Sequence, residues 1–283
     1  MSIPGFGEIA EMLRRSTVRV TAGRRGQGSG VIVQPDGVIV TNAHVAVANP
    51  IDIELWDGKR ASATVTLHDQ SRDIAILRVP FSDLPAARLA DSDQLRVGEF
   101  VIAVGNPLGF MGALTRGVVH SIGRVPGLGA TKWLQADVRL APGNSGGPLA
   151  NAAGHVVGIN TMVAAGVGLA IPSNAVLRRL ARGNSPPPLG ITAGPVPIAL
   201  HGKKQLGLVI LEIDKVGAAK DASLMLGDII TGADGRALDS IDDFEQALDG
   251  AGQRVVRLQF LRGDRSNART VAVRLGAAKL AAA

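Results

Sequence analysis

The chain has 283 residues, of which 46% are hydrophobic and 19% charged, so it is long enough for about two domains with packed cores and too apolar to be disordered. It contains no cysteine, which excludes disulfide bonds and thiolate metal sites. Lysine and arginine number 30 against 24 acidic residues, a formal charge of +6, but aromatic residues make up only 3% of the chain and offer few stacking platforms for single-stranded nucleic acid.

The basic excess has two interpretations, an anionic partner such as DNA or a membrane surface, or an ordinary solvated face. No phosphate-binding loop, helix-turn-helix pattern or metal-ligand cluster accompanies it, so we expect no nucleic-acid partner, no metal and no cofactor. No stretch approaches the roughly 18 apolar residues that span a bilayer, and residues 1–20 contain no continuous apolar core typical of a leader. The sequence as written therefore predicts a cytoplasmic protein, or a periplasmic one if the natural start has been trimmed.

In chain order, residues 1–16 predict a helical arm, because Ile9, Met12 and Leu13 recur at helical spacing. Short Val/Ile-rich runs separated by glycine and proline follow as far as residue 171, which is typical of barrels or sandwiches. Ser173 is a candidate N-cap of a short helix that ends before Gly183. Residues 17–183 form the first predicted domain. Its predicted strands cover residues 28–33, 38–41, 51–55, 63–67, 74–79, 100–104, 117–122, 156–161 and 168–171.

Residues 184–188 predict a linker, because three consecutive prolines can neither continue a helix nor pair inside a sheet. Residues 189–276 mix strands with two helices, one near 218–225 and one after Ser240, and so predict a small α+β module. Asp243 stands at the capping-box position of the second helix. The predicted strands cover residues 189–192, 208–213, 229–231, 254–261 and 269–275. Residues 277–283 form a tail that resembles translated vector sequence from Lys279 onward.

The run Gly143–Pro148 (Gly-Asn-Ser-Gly-Gly-Pro) places one serine among residues with small side chains. Such a turn lets a substrate carbonyl approach the Ser145 hydroxyl, and the backbone at Gly143, Asn144 and Ser145 is the candidate oxyanion hole. His44 follows the run Val-Thr-Asn-Ala, and Asp73 precedes a buried strand. The order His, Asp, Ser is that of chymotrypsin-type double barrels. We therefore interpret His44, Asp73 and Ser145 as the catalytic triad of a serine protease.

Several short blocks, in order and at the right spacing, resemble the HtrA/Deg family of ATP-independent serine proteases with a C-terminal PDZ domain. The blocks are Thr41–Val45, Asp69–Ala75, Gly105–Gly109, Gly143–Pro148, Ala170–Ser173 and, in the second domain, Leu226–Ile230 and Asp242–Leu248. The resemblance covers residues 17–276 and implies a mainly β fold, a chymotrypsin-like double six-stranded barrel followed by a PDZ domain. The chain departs from the family pattern at Gln70, where a proline is usual, and in Asp137–Ala141 before the nucleophile.

The resemblance implies an endopeptidase that degrades unfolded or misfolded polypeptides in bacterial protein quality control and stress response, assembled as a homotrimer through its N-terminal segment. The candidate specificity pocket consists of Leu140, Ile159, Asn160, Thr161 and Val163. Because these side chains are apolar or neutral, we expect cleavage after small or medium aliphatic residues. Arg139 is the competing determinant, since an arginine lining the pocket would favour acidic residues.

The PDZ resemblance implies capture of C-termini or extended peptides by strand addition. Leu189, Gly190 and Ile191 are the candidate peptide-binding loop, with residues 205–208 as the runner-up. A second functional interpretation stays open at this point, a latent or inactive protease that acts mainly as a peptide-binding chaperone or adaptor.

Overall fold

The computed structural model describes residues 5–23, 26–183, 189–200, 202–249 and 255–275. The predicted linker at 184–188 and tail at 277–283 lie outside these ranges. The contacts divide the chain into two units, one formed by residues up to 122 together with 133–183, and the other by residues 123–132 together with the chain after 183. Residues 123–132, which the sequence analysis placed in the first domain, therefore group with the second unit.

The first unit contains two closed six-stranded barrels, as predicted. In the first barrel the strands run antiparallel in the order β1-β2-β3-β6-β5-β4. They are β1 Thr17–Ala22, β2 Gly26–Gln34, β3 Val38–Thr41, β4 Ile51–Glu54, β5 Arg60–Asp69 and β6 Ile74–Arg78. Branched aliphatic side chains such as Val20, Ile39 and Ile53 are fully buried and fill the interior. In a chain with few aromatic residues, Val, Ile and Leu thus supply the volume of the barrel interior, and the β-branched Val and Ile also favour strands.

The second barrel has the order β10-β11-β12-β9-β8-β7. Its strands are β7 Phe100–Gly105, β8 Ala113–Arg124, β9 Lys132–Ala136, β10 Pro148–Asn151, β11 Val156–Ala164 and β12 Val167–Pro172. Its core includes Val101, Leu134, Leu149 and Val157. The strands β9 and β10 have no counterpart among the sequence predictions, because neither shows a clear run of β-branched residues.

Two helices flank the barrels. The helix α1, Phe6–Ser16, packs Ile9 and Leu13 into the first unit, as the helical spacing predicts. The helix α2, Ser173–Arg182, ends at Gly183, whose φ of 55° suits a C-cap. The N-cap prediction for Ser173 is wrong: Pro172 occupies the N-cap, and the buried Ser173 hydroxyl donates to the Ala90 carbonyl instead. Short 3₁₀ turns lie at Ser92–Gln94 and Pro107–Gly109.

The second unit contains a sheet in the order β13-β14-β15-β17-β18, with β16 paired to β15. Its elements are β13 Ile191–Leu200, β14 Lys203–Ile213, α3 Ala218–Asp221, β15 Ile229–Ala233, β16 Arg236–Ala237, α4 Ile241–Asp249, β17 Val255–Arg262 and β18 Asp264–Arg274. The capping box predicted for α4 is present, since the Asp243 N–H donates to Ser240 Oγ and the Ser240 N–H donates to Asp243 Oδ2. Leu208, Phe244 and Leu258 belong to the core between sheet and helix.

Candidate active site

His44 lies in the turn that follows β3. The preceding residues Val38–Thr41 are all buried and anchor the turn to the first barrel, whereas the His44 side chain is 49% exposed. Asn42 is fully buried, and its Nδ2 donates to the Asp73 carbonyl at 3.0 Å and to Thr161 Oγ1 at 3.0 Å. This amide therefore connects the His44 turn to the Asp73 turn and to β11 of the second barrel.

Asp73 orients the imidazole of His44. Its carboxylate oxygens lie 2.9 and 2.8 Å from His44 Nδ1, and Oδ1 also accepts the His44 backbone N–H at 2.9 Å. Because a carboxylate can only accept, Nδ1 carries the proton and Nε2 is the basic nitrogen. Asp73 has a φ of 56°, a left-handed conformation that non-glycine residues adopt at a cost, and such strain concentrates at functional sites.

Asp69 supports the Asp73 turn from the end of β5. Its Oδ1 accepts hydrogen bonds from Ser71 Oγ at 2.6 Å and from the Arg72 N–H at 3.2 Å, and its Oδ2 forms an ion pair with Arg179 of α2 at 3.1 Å. Burial raises the pKa of Asp69, but the Ser71 hydroxyl and the guanidinium groups of Arg72 and Arg179 outweigh burial, so the pKa lies below its ordinary value. Asp69 therefore stays ionised, and its hydrogen bonds stabilise the turn that leads to Asp73.

Ser145 occupies the turn between β9 and β10, where Gly143 and Gly146 have φ values of 106° and 87°. A Cβ at Gly143 would lie 2.5 Å from the Asn106 carbonyl oxygen, and one at Gly146 would lie 2.0 Å from that of Ser29, so both positions require glycine. The Ser145 hydroxyl donates to the Thr161 carbonyl at 2.7 Å. The hydroxyl of the candidate nucleophile is thus hydrogen-bonded to β11 in this structure.

The candidate oxyanion hole has two available donors. The N–H groups of Gly143 and Ser145 donate to no acceptor within the part of the chain that the structure describes, whereas the Asn144 N–H donates to the Ala141 carbonyl at 3.0 Å. The Pro142 carbonyl accepts the Leu108 N–H at 3.3 Å. The donors that remain for a developing oxyanion are thus those of Gly143 and Ser145, and the Asn144 amide serves the turn itself.

Ser29 of β2 holds the Gly143 carbonyl of residues 143–145, the candidate oxyanion loop. Its fully buried hydroxyl donates to the Gly143 carbonyl at 2.7 Å and accepts the Asn106 backbone N–H at 2.9 Å. The Ser29 N–H also donates to the Ser145 carbonyl at 2.7 Å. Ser29 was not singled out in the sequence, since a serine between two glycines has no catalytic signature, while Asn106 lies in one of the family blocks.

The candidate pocket residues divide into two groups. Ile159, Asn160 and Thr161 are buried, and Asn160 holds the nucleophile turn by accepting the Gly146 N–H at 2.8 Å. Val163, which is 51% exposed, pairs directly with Gly168 of β12. Leu140 lies over the same glycine, since a Cβ built there would be 3.1 Å from Leu140 Cδ1.

Gly168 is a residue of this region that sequence reasoning missed. Its missing side chain leaves room for Val138 Cγ2 and Leu140 Cδ1, which would lie 2.7 and 3.1 Å from a Cβ built there, and Leu140 packs against the core of the second barrel. Arg139 is exposed, while its neighbour Val138 points into the barrel core.

The PDZ candidates lie at the start of the sheet of the second unit. Leu189 is fully buried, Gly190 has a φ of 70° and its carbonyl accepts the Asp214 N–H at 2.9 Å, and Ile191 begins β13 at the edge of the sheet. The runner-up residues 205–208 lie within β14 and pair with β13. Only the first candidate therefore adjoins an open strand edge.

Within the described residues, no group of three or more His, Cys, Asp or Glu side chains is arranged to hold a metal ion. None of the described helices has both the length and the apolarity that crossing a bilayer requires.

Two protein families match the chain. Residues 28–159 match the trypsin-like peptidase domain, and residues 187–274 match the PDZ domain. Among curated relatives, the serine protease HhoA of Synechocystis sp. is 33% identical over 87% of this chain and 70% of its own length. A DegP-like periplasmic serine endoprotease of Chlamydia pneumoniae is 35% identical over 78% of this chain, which spans 49% of that relative. A periplasmic do/HhoA-like serine protease of Haemophilus influenzae is 35% identical over 86% of this chain and 57% of its own length.

Solved structures of serine proteases are similar to this chain in fold. The HtrA-type protease AlgW with a tripeptide superimposes with a TM-score of 0.70 at 27% identity, covering 96% of this chain and 97% of that one. The serine endoprotease from Yersinia pestis gives a TM-score of 0.65 at 25% identity, with 97% and 98% covered. The predicted fold, a double barrel followed by a PDZ domain, is confirmed.

Proposed function

Because the chain belongs to the HtrA/Deg family of serine proteases, we propose that it is an ATP-independent serine endopeptidase with Ser145 as nucleophile. The observation that carries this proposal is the contact of both Asp73 carboxylate oxygens with His44 Nδ1 at 2.8 and 2.9 Å. Because Nδ1 donates its proton to Asp73, Nε2 is the basic nitrogen, on the side of the imidazole away from Asp73.

In the proposed reaction the Ser145 hydroxyl leaves the Thr161 carbonyl, gives its proton to His44 Nε2 and attacks the scissile carbonyl carbon. Asp73 stabilises the imidazolium that forms, which then protonates the leaving amine. The N–H groups of Gly143 and Ser145 bind the oxyanion, and removing one such donor costs about 3–4 kcal/mol of transition-state stabilisation in enzymes where it has been measured. Water then hydrolyses the acyl-enzyme by the same steps.

We propose cleavage after small or medium aliphatic residues of unfolded polypeptides. The side chains of the candidate pocket support this preference, because Leu140 and Val163 are apolar and offer no charged partner to a substrate side chain. Profiling with a peptide library tests it. A dominant preference for Asp or Glu before the scissile bond would reject the aliphatic pocket and return Arg139 to the role of determinant.

We further propose that the PDZ domain binds the C-termini of extended peptides along β13 beside Leu189, Gly190 and Ile191. The open edge of β13 supports this, because a free strand edge can pair with an extended peptide. Exchange of Gly190 for valine should abolish peptide affinity, whereas a change at Gly207, whose strand is paired, should leave the affinity in place if the domain stays folded.

We propose a homotrimer built through α1. Phe6 and Met12 are 47% and 46% exposed, and Phe6 packs edge-on against Phe100 with ring centroids 6.2 Å apart. A monomer by light scattering at micromolar concentration would refute a stable trimer.

The names of two relatives place those proteins in the periplasm, so we favour that compartment. The cytoplasmic expectation has no support from the relatives.

The experiment that tests the function is casein degradation by the unmodified chain and by the Ser145→Ala variant, with and without peptides that end in hydrophobic residues. Activity that disappears in Ser145→Ala establishes the protease, and stimulation by the peptides adds control through the PDZ domain. No cleavage under any condition would favour the latent or chaperone interpretation.

A further inference from the structure

His68, the second-last residue of β5, is a histidine outside the proposed triad that contacts the turn carrying His44. Its Nε2 lies 3.1 Å from the carbonyl oxygen of Ala43, the residue before His44. Because a carbonyl can only accept, Nε2 carries the proton of this hydrogen bond. The same nitrogen is protonated in the imidazolium, so the contact persists whether His68 is neutral or charged.

The strand order explains how a residue of β5 reaches this turn. The strand β6 lies between β3 and β5, and its residue Ala75 is paired with Thr41 on one side and with His68 on the other. Side chains of directly opposite residues share one face of a sheet. Ala75 has only a methyl group, so the longer His68 side chain can pass over it to Ala43, in the turn that begins after Thr41.

The contacted carbonyl belongs to the peptide group that joins Ala43 to His44. The N–H of this peptide group donates to Asp73 Oδ1 at 2.9 Å, and the same carboxylate oxygen lies 2.9 Å from His44 Nδ1. A peptide group is planar, so its carbonyl and its N–H rotate together. His68 at one end and Asp73 at the other therefore fix the orientation of a single rigid group, to which the Cα of His44 belongs.

The His68 contact ties this rigid group to another strand. The Ala43 carbonyl also accepts the Ala46 N–H at 3.1 Å, but that hydrogen bond lies within the turn and moves with it. A carbonyl oxygen has two lone pairs, so it accepts both donors at once. Ala43 is 1% exposed, which leaves water little access to its carbonyl as a substitute donor.

From these contacts we infer that His68 is a positioning residue of the reaction, which holds the Ala43 carbonyl and thereby keeps the N–H and Nδ1 of His44 aligned with Asp73. The inference rests on the proposed function and adds a residue that orients its base. Asp69, the next residue of β5, supports the turn that leads to Asp73. The last two residues of β5 thus stabilise the two turns that bring His44 and Asp73 together.

The test is steady-state hydrolysis of a fluorogenic peptide by the full chain, with kcat and KM determined separately. His68→Leu removes the donor but keeps a side chain of similar size, and we expect it to lower kcat by about threefold to tenfold with KM within about twofold. His68→Gln places an amide N–H donor near the position of Nε2 and should keep kcat within about twofold of the unmodified chain. His120→Leu is the matched control, because His120 is an exposed histidine of β8 in the second barrel, and it should leave both constants unchanged.

A second measurement needs no catalysis. In the Ser145→Ala background, proton NMR follows the proton on His44 Nδ1, which gives a resolved low-field signal when it is held between an imidazole and a carboxylate. The His68→Leu exchange should speed the replacement of this proton by solvent severalfold, because the contact with Asp73 opens more often. The His68→Gln exchange should leave the rate unchanged.

Circular dichroism verifies that each variant is folded. Equal losses of kcat in folded His68→Leu and His68→Gln would show that only the packing of the imidazole matters, and would overturn the inference. An unchanged kcat together with an unchanged proton exchange rate in His68→Leu would overturn it as well. Absence of hydrolysis by the unmodified chain would refute the proposed function instead, and the NMR comparison would then decide the role of His68 by itself.

Discussion

Ser29→Ala tests whether the first barrel positions the oxyanion loop of the second. The Ser29 side chain is fully buried, and its hydroxyl donates to the Gly143 carbonyl at 2.7 Å while accepting the Asn106 N–H at 2.9 Å. Alanine removes the Gly143 anchor and leaves the Asn106 N–H with the Gly143 oxygen at 3.4 Å as its remaining acceptor. A buried polar group left without its partner costs about 1–3 kcal/mol of stability.

The kinetic effect is larger than a structural cost alone would produce. Complete loss of one oxyanion donor lowers kcat by about 10²–10³-fold. Ser29 affects the Gly143 N–H only indirectly, because its hydroxyl holds the carbonyl of the same residue. We therefore expect Ser29→Ala to lower kcat by about tenfold to a hundredfold, with KM nearly unchanged. The measurement is steady-state hydrolysis of a fluorogenic peptide, with kcat and KM determined separately at a temperature where the variant is folded.

Ser173→Ala is the matched control. Ser173 is equally buried, and its hydroxyl donates to the Ala90 carbonyl at 2.5 Å without contacting the oxyanion loop. Its exchange should lower the melting temperature to a similar extent and leave kcat unchanged. If both folded variants show kcat values within twofold of each other, the positioning role of Ser29 is refuted.

Three further predictions follow from the site. Asp73→Asn should lower kcat by about 10⁴-fold in the same peptide assay, because an amide donates to Nδ1 and stabilises the wrong tautomer. Asp69→Asn should reduce the free energy of unfolding, measured in urea at pH 7. Because the pKa of Asp69 is lowered by folding, its carboxylate stabilises the fold fully above the ordinary pKa of 3.8. The difference in unfolding free energy between the variant and the unmodified chain should therefore vanish as the pH falls through the lower pKa of the folded state. Gly146→Ala should yield no folded protein, because its Cβ would lie 2.0 Å from the Ser29 carbonyl oxygen, whereas Gly58→Ala, with φ of 83° and nothing within 4 Å, should cost about 1–3 kcal/mol by thermal melting.

The positions of the barrel strands were predictable where hydrophobic runs coincide with strands. Residues 74–79 were predicted and β6 covers Ile74–Arg78, because its buried residues form a continuous apolar run. The strand β10, Pro148–Asn151, was not predicted, since its sequence begins with proline and ends with asparagine and its burial depends on pairing with β7 and β11. Tertiary pairing decides such strands, and a short window of sequence contains no signal for it.

The extent of β13 also could not be predicted from the sequence. Residues 189–192 were predicted as a strand, but β13 covers Ile191–Leu200, and its two prolines argued against continuation. Prolines are tolerated there because the strand lies at the edge of the sheet, a fact available only once the strand order is known.

The residues of the proposed triad were identifiable because each lies in a short block of distinctive neighbours. Ser29 was not, because it acts on a turn more than a hundred residues away in the chain. The same holds for Gly168, whose role depends on where the Leu140 side chain lies.

The amide of Asn42 joins parts of the chain that fold as different barrels. Its Nδ2 reaches the Asp73 carbonyl in the first barrel and Thr161 Oγ1 in the second, at 3.0 Å each. Ser29 is a second link of this kind, since its hydroxyl donates to the Gly143 carbonyl. Because the proposed base and the proposed nucleophile belong to different barrels, neither half of this unit should retain part of the proposed activity by itself. A chain nicked between the barrels should lose and regain its competence as one event, through complementation of the two fragments.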